Sequence, residues 1–238
     1  MWGVPAWESA STYDAVAQEI RDLRERGLGH LLTEETVRFA TAQALVSAGV
    51  VPESLRTERP HPIIKGARID LAVGEPETAF IEFKYPREPA EKNAAWTMTL
   101  GEVLKDLYRL AAYPGQVDRI FVYAESRRLR DYMTASSQRY GVDIDRTDVS
   151  ITPAQAGLLP ATATAILGHL SESKVTATRL TIAEIDDGLR LAVYRVDEAT
   201  IPADSTASTV QLVQQTGELA NPTLRLQEGG APADPASS

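Results

Sequence analysis

The stretch that decides the fold runs from 67 to 85: ARIDLAV (67–73), GEPET (74–78) and AFIEFKY (79–85). Two short runs rich in β-formers flank a polar turn, the pattern of a hairpin. With the turn centred on Pro76, residues whose numbers sum to 152 face each other. Asp70 then lies opposite Glu82, Leu71 opposite Ile81, and Val73 opposite Ala79. Alternation puts Ile69, Leu71, Val73, Ala79, Ile81 and Phe83 on one apolar face, and Asp70, Glu82 and Lys84 on the other. Cross-strand neighbours stand about 4.5–5.5 Å apart at Cβ, where like charges repel. A divalent cation held by Asp70 and Glu82 turns that repulsion into chelation, and Lys84 reaches the same centre.

Upstream, TYDAVAQEIRDLRER (12–26) carries Val16, Ile20 and Leu23 at helical spacing, and Gly27 stops it. Thr33 is a good N-cap for a second helix with Glu34 and Glu35 in its first turn, ending at Gly49. Pro52, Pro60 and Pro62 limit the next segment to a loop or an edge strand. Downstream, a long helix is predicted over 93–112, with Leu100, Val103, Leu104, Leu107 and Leu110 as its apolar stripe. IFVYA (120–124) reads as a strand at the centre of a sheet. SRRLRDYMTASSQRYG (126–141) is a further helix, and 151–176 gives no clear pattern. RLTIAEI, DDG and LRLAVYRV (179–196) form a second hairpin signal around Asp187 and Gly188. From 201 onward large apolar residues are few, and a disordered tail is expected.

The chain has 238 residues, no cysteine and three scattered histidines, His30, His61 and His169. Thiolate chemistry, disulfides and His- or Cys-rich zinc sites are thereby excluded. A metal here is held mainly by oxygen, which favours magnesium, manganese or calcium. Net charge is −9, which argues against a protein that simply coats nucleic acid. The acid is concentrated late: six acids and the single base Arg225 lie from Asp197 onward, so −4 remains for the rest. Arg56, Arg59, Lys65 and Arg68 against Glu58 alone leave room for a local basic surface. No segment has the apolar length to span a bilayer, and MWGVPAWESASTYD carries no basic stretch followed by an apolar run. A cytoplasmic protein with no membrane partner is the expectation.

IDLAV followed by IEFKY resembles the PD-(D/E)XK nuclease superfamily, in which a hairpin presents Asp and then Glu-x-Lys. Asp70 matches the first acid and Glu82-Phe83-Lys84 the triplet; Ile69 stands where the family pattern has Pro. TEETVR (33–38) resembles the family's first helix, with Glu34 matching its carboxylate and Glu35 the close alternative. The match covers about 34–125. It implies a restriction-endonuclease-like α/β core, a central mixed sheet flanked by helices, at 31–145. An N-terminal helix (1–30), a C-terminal extension with a β-hairpin (146–200) and the tail (201–238) surround that core. It implies phosphodiester hydrolysis of nucleic acid, DNA in the first instance, by an endonuclease of the restriction, defence or repair kind. Asp70, Glu82 and the Phe83 carbonyl would hold Mg2+ or Mn2+, Lys84 would orient water or stabilise charge, and Glu34 would assist. The other reading is a catalytically silent module of the same fold within a larger complex. The hairpin at 179–196 is open to reading as a homodimer or partner-protein surface, or as a specificity element.

Ordinary surface chemistry competes with each of these assignments. Asp70, Glu82 and Lys84 can be solvated charges, their ion pairs then worth about 0–1 kcal/mol. Lys105, Asp106 and Arg109 read as a solvated helix face, and Arg127, Arg128 and Arg130 as a solvated helix start. Trp96 and Tyr108 read as core aromatics, and His61, between two prolines, as a loop residue.

Overall fold

A computed structural model describes residues 4–86 and 94–199. The elements run α1 (Ala10–Glu25), α2 (Glu34–Ser47), β1 (Leu55–Pro60), β2 (Arg68–Val73), β3 (Ala79–Lys84), α3 (Ala94–Ala111), β4 (Asp118–Ser126), α4 (Arg127–Tyr140), β5 (Asp148–Ile151), α5 (Pro153–Ala156), α6 (Ala161–Leu167), β6 (Val175–Asp186) and β7 (Leu189–Val196). The tail expected from 201 onward lies outside the described residues. None of the described helices is long and apolar enough to cross a membrane.

The strands form one mixed seven-stranded sheet in the order β1-β2-β3-β4-β7-β6-β5. Only β3 and β4 pair in parallel; every other pair is antiparallel. A parallel pair needs a crossover, and α3 supplies it, which lays that helix on one face of the sheet over β3. The apolar stripe expected of α3 is buried there, with Leu100, Val103, Leu104, Leu107 and Leu110 packed on Phe80, Phe121 and Tyr123. The opposite face is covered by α1 and α2 through Tyr13, Val16, Ile20, Val37 and Leu45. The result is a three-layer α/β arrangement. α3 is itself backed by α6 at Gly101, where an added Cβ would stand 2.9 Å from the Ala163 Cα. Only a residue without a side chain permits that approach.

Three expectations change. The hairpin at 179–196 is not an extension beside the core: β7 pairs with β4 in the middle of the sheet, and α1 docks on β6 and β7 through Ala183, Ile185 and Leu189. A strand as apolar as LRLAVYRV has both faces to bury, and only the sheet interior provides that. The unassigned stretch 151–176 forms the short helices α5 and α6 and leads into β6. Ile69 does not share the face of Leu71 and Ile81; it packs on the α3 side with Phe80. The predicted register holds for Leu71 with Ile81 and Val73 with Ala79, but the β2–β3 ladder ends there, and beyond it alternation no longer governs.

Candidate acidic site under helix α3

The two strands part at Asp70 and Glu82, and side chains take the place of the missing ladder. The Asp70 N–H donates to Glu82 Oε2 at 3.1 Å, and the Phe83 N–H donates to Asp70 Oδ2 at 2.8 Å. Each carboxylate is thus fixed by the other's strand. On the far side of β2, Glu58 of β1 is in the left-handed region with φ 56°, and it is the residue passed over in the β1–β2 pairing. Non-glycine residues rarely hold that conformation, and such departures gather at functional sites.

The flanking helices complete the cluster. Thr33 caps α2, accepting from the Thr36 N–H, while the Thr36 hydroxyl accepts from the Thr33 N–H. That cap turns Glu34 toward β3, where its Oε2 accepts from the Tyr85 N–H at 3.3 Å. Glu35 points outward and pairs with Arg38. Arg38 also pairs with Glu58 at 2.7 Å and reaches Asp70 at 3.9 Å. From α3, Asp106 binds the Lys84 ammonium at 2.6 Å, and Arg109 lies against both Glu82 and, at 3.3 Å, Asp106.

These are not solvated surface charges. Glu82 is 0% exposed and Asp106 4%. Burial pushes the Asp70 carboxyl up to about 6, with the nearby Glu34 adding to it; the Phe83 N–H, Arg109 and Arg38 draw it partly back. Burial also raises Asp106 to about 6 against the pull of Lys84. Lys84 is held above its ordinary range because Asp106 outweighs the opposing effect of burial, and burial lowers Arg109. Among the described residues, the buried or half-buried carboxylates of Glu34, Asp70, Glu82 and Asp106 lie with three cations, Arg38, Lys84 and Arg109, and Glu35 and Glu58 are exposed partners of Arg38.

Glu82 Oε1 is buried and paired with Arg109 through Nη2, while Arg109 Nε is buried without a hydrogen-bond partner. The neighbouring Glu82 and Asp70 carboxylates fit a hard divalent cation in donor type and in charge. No group of three or more His, Cys, Asp or Glu side chains is gathered as a full metal shell among the described residues. Magnesium does not need one: it is commonly bound by one or two carboxylates, with water and substrate phosphate as the remaining ligands. The Phe83 N–H and C=O face the same neighbouring strand, so its carbonyl lies on the edge where Asp70 stands.

No protein-family model, no curated protein and no solved structure matches this chain. What the site does must be argued from its own geometry.

The structure brings together Asp70, Glu82, Glu34 and the Phe83 main chain, and places Lys84 one helix-facing step away, on Asp106. Two members of the cluster were read from sequence as solvated: Asp106 and Arg109 are in the network, while Lys105 remains outside it, 4.0 Å from Glu102. Their i,i+3 spacing faces the sheet, but only the crossover shows which side of α3 that is. His61 is also more than a loop residue. It is buried, and its Nδ1 accepts from the Ile63 and Ile64 N–H groups, so Nε2 carries the proton and donates to the Arg109 carbonyl at 3.0 Å. This pins the main chain of α3 beside the acids. In the basic stretch 56–68, Arg56 pairs with Glu75 and Arg59 with Glu77, while Arg68 donates to the Glu58 carbonyl and keeps its charge. Trp96 and Tyr108 are core aromatics, as expected.

Proposed function

We propose that the chain is a metal-dependent phosphodiester hydrolase of the restriction-endonuclease-like kind, acting on nucleic acid, with DNA the first substrate to test. The observation that carries this reading is the interlocked pair at the parting of β2 and β3, where Asp70 and Glu82 are each held by the other's strand. Placing the half-buried Asp70 carboxylate beside the buried Glu82 carboxylate costs stability, and a bound cation would offset that cost. Asp70, Glu82 and the Phe83 carbonyl would hold Mg2+ or Mn2+. The ion supplies Lewis acidity toward a phosphoryl oxygen and toward the attacking water. Lys84, kept protonated by Asp106, holds a positive charge at the edge of the acids, where charge develops on the phosphate. Glu34 fixes the Tyr85 N–H and so the end of β3 that carries Lys84.

The test is cleavage of plasmid and single-stranded DNA with Mg2+ or Mn2+. Lys84→Ala is expected to lower the rate by about a hundred- to a thousandfold, the usual effect of losing one preorganised charged donor. Equal cleavage by wild type and Lys84→Ala would remove Lys84 from the mechanism. A wild-type chain that cuts nothing with either ion would favour the second reading, a catalytically silent module. One observation speaks for that reading: Arg109 and Lys84 already sit as counter-ions among the acids.

A further inference from the structure

The cations Arg56, Arg59, Lys65 and Arg68 fall into two kinds. Arg56 and Arg59 are each matched by an acid, Glu75 and Glu77. Lys65 and Arg68 are exposed, and neither forms an ion pair among the described residues. Arg68 donates instead to a neutral acceptor, the Glu58 carbonyl at 2.9 Å. That carbonyl is available because Glu58 is passed over in the β1–β2 pairing. Arg68 is therefore aimed without being neutralised. Lys65 stands on a loop, 61–67, that is fixed at its base. The His61 N–H donates to the Ala67 carbonyl at 2.9 Å, the Ala67 N–H donates to the Ile64 carbonyl at 3.1 Å, and His61 Nδ1 accepts from the Ile63 and Ile64 N–H groups. A loop already ordered in this way presents its side chains at little further entropic cost on binding. Both cations stand at the rim of the acidic site. His61 donates to the carbonyl of Arg109, whose side chain pairs with Glu82, and Arg68 is two residues from Asp70 on β2.

We propose that loop 61–67 and the start of β2 form the docking surface for the sugar-phosphate backbone of a nucleic acid, with Lys65 and Arg68 each contacting a phosphate. This rests on the reading of the acidic site as one that acts on nucleic acid, and it names the surface that holds the strand there. A nucleic-acid strand carries a charge at every nucleotide, so a strand entering the acidic site brings further phosphates past its rim, where these two cations stand. Lysine and arginine that neutralise phosphates release condensed counterions, and binding of this kind weakens steeply with salt. Lys65 and Arg68 bind in this way and take no part in bond breaking.

Fluorescence anisotropy of labelled duplex and single-stranded DNA with the full chain tests this without measuring cleavage. It is read across a salt series, once with EDTA and once with Ca2+. Wild type is expected to bind. Lys65→Ala is expected to lower the slope of log affinity against log salt by about one on duplex, and Lys65→Ala with Arg68→Ala by about two. Lys174→Ala removes another exposed lysine that has no ion pair among the described residues, beside β6 and across the sheet from β2. It is expected to leave affinity and slope unchanged. Thermal melting checks that each variant is folded; if Arg68→Ala is not, Lys65→Ala alone decides. An unchanged slope in Lys65→Ala, or an equal loss in Lys174→Ala, overturns the proposal while leaving the nucleic-acid reading in place. A wild type that binds neither DNA in either condition overturns both. Binding of poly-glutamate in its stead, weakened by the same variants, would assign the surface to an acidic protein partner.

Discussion

Two buried charge networks lie in the same sheet, and they are built differently. One is the acidic site between β2, β3, α2 and α3. The other joins β4, β7 and β6 farther across the sheet. There Arg190 donates to Glu125 at 2.7 Å and to Asp145 at 2.5 Å, and Arg179 donates to the Asp145 side chain at 3.0 Å and its carbonyl at 2.6 Å. Two acids meet two bases, and the formal charge closes to zero. Tyr194 adds a hydroxyl donated to the Ile144 carbonyl at 2.6 Å, which fastens the loop that carries Asp145. In the acidic site four buried or half-buried carboxylates lie with three cations, and Arg109 Nε lacks a hydrogen-bond partner. The second network has an orphan of its own, the Tyr123 hydroxyl, beside Glu125 and Arg190. The networks therefore differ in charge balance: charges that cancel serve the fold, and excess acid is what the proposed metal reading requires.

The sharpest way to break this contrast is Arg190→Met. It leaves Glu125, 2% exposed, as an uncompensated buried carboxylate. A loss of about 3–5 kcal/mol in urea unfolding is expected. A loss below about 1 kcal/mol would mean that the second network is no more structural than the first.

His61→Ala comes next. It removes an acceptor for two buried N–H groups and the donor to Arg109, and a cost of about 2 kcal/mol at pH 8 is expected from the groups left unpaired. Its pH dependence sharpens the comparison. Burial lowers the folded pKa of His61, so the unfolded chain takes up its proton first as pH falls. The contribution of His61 is therefore complete above about 6.5 and is lost as pH falls through the lowered folded value. Stability curves of wild type and His61→Ala should converge between pH 8 and pH 5; parallel curves would show that folding leaves the His61 pKa where the unfolded chain has it.

The smallest effect is expected at the acidic site itself. Asp70 has a folded pKa raised to about 6, so the folded protein binds that proton more tightly than the unfolded chain. Its favourable contribution is present below the unfolded value and is lost as pH rises through about 6. Asp70→Asn keeps an acceptor for the Phe83 N–H while removing the charge. It should be about 1–2 kcal/mol more stable than wild type at pH 8, with the gap closing toward pH 4. The corresponding change at Asp145, Asp145→Asn, should destabilise the protein at pH 8, because it breaks a charge-balanced network. An Asp70→Asn chain less stable than wild type at pH 8 would place both networks in the same structural class.

Much of the architecture was legible in residue order because it is local. Helical spacing of Val16, Ile20 and Leu23, the Thr33 cap, and the 2.0-residue period of LAV against AFI each act within a few residues, and the structure keeps all of them. The nearness of Asp70 and Glu82 was legible for the same reason, although the ladder that sets the register ends one pair short of them. The departure of Ile69 from that pattern was not, since it follows from the ladder ending where side chains replace main-chain bonds.

What only the tertiary structure decided is which distant groups share the acids' surroundings. Asp106 and Arg109 stand more than twenty residues beyond Glu82 in the chain, and nothing local separates their i,i+3 spacing from that of a solvated face. The crossover between two parallel strands lays α3 on the sheet, and that long-range packing turns a surface pair into buried counter-ions. The same holds for Lys84, whose partner is Asp106, and for the hairpin of β6 and β7, whose place beside β4 depends on which strand edge remains free to pair. Periodicity specifies which residues turn inward on an element. Which element they then meet is set by the burial of both faces of a shared sheet, and that is a property of the whole chain.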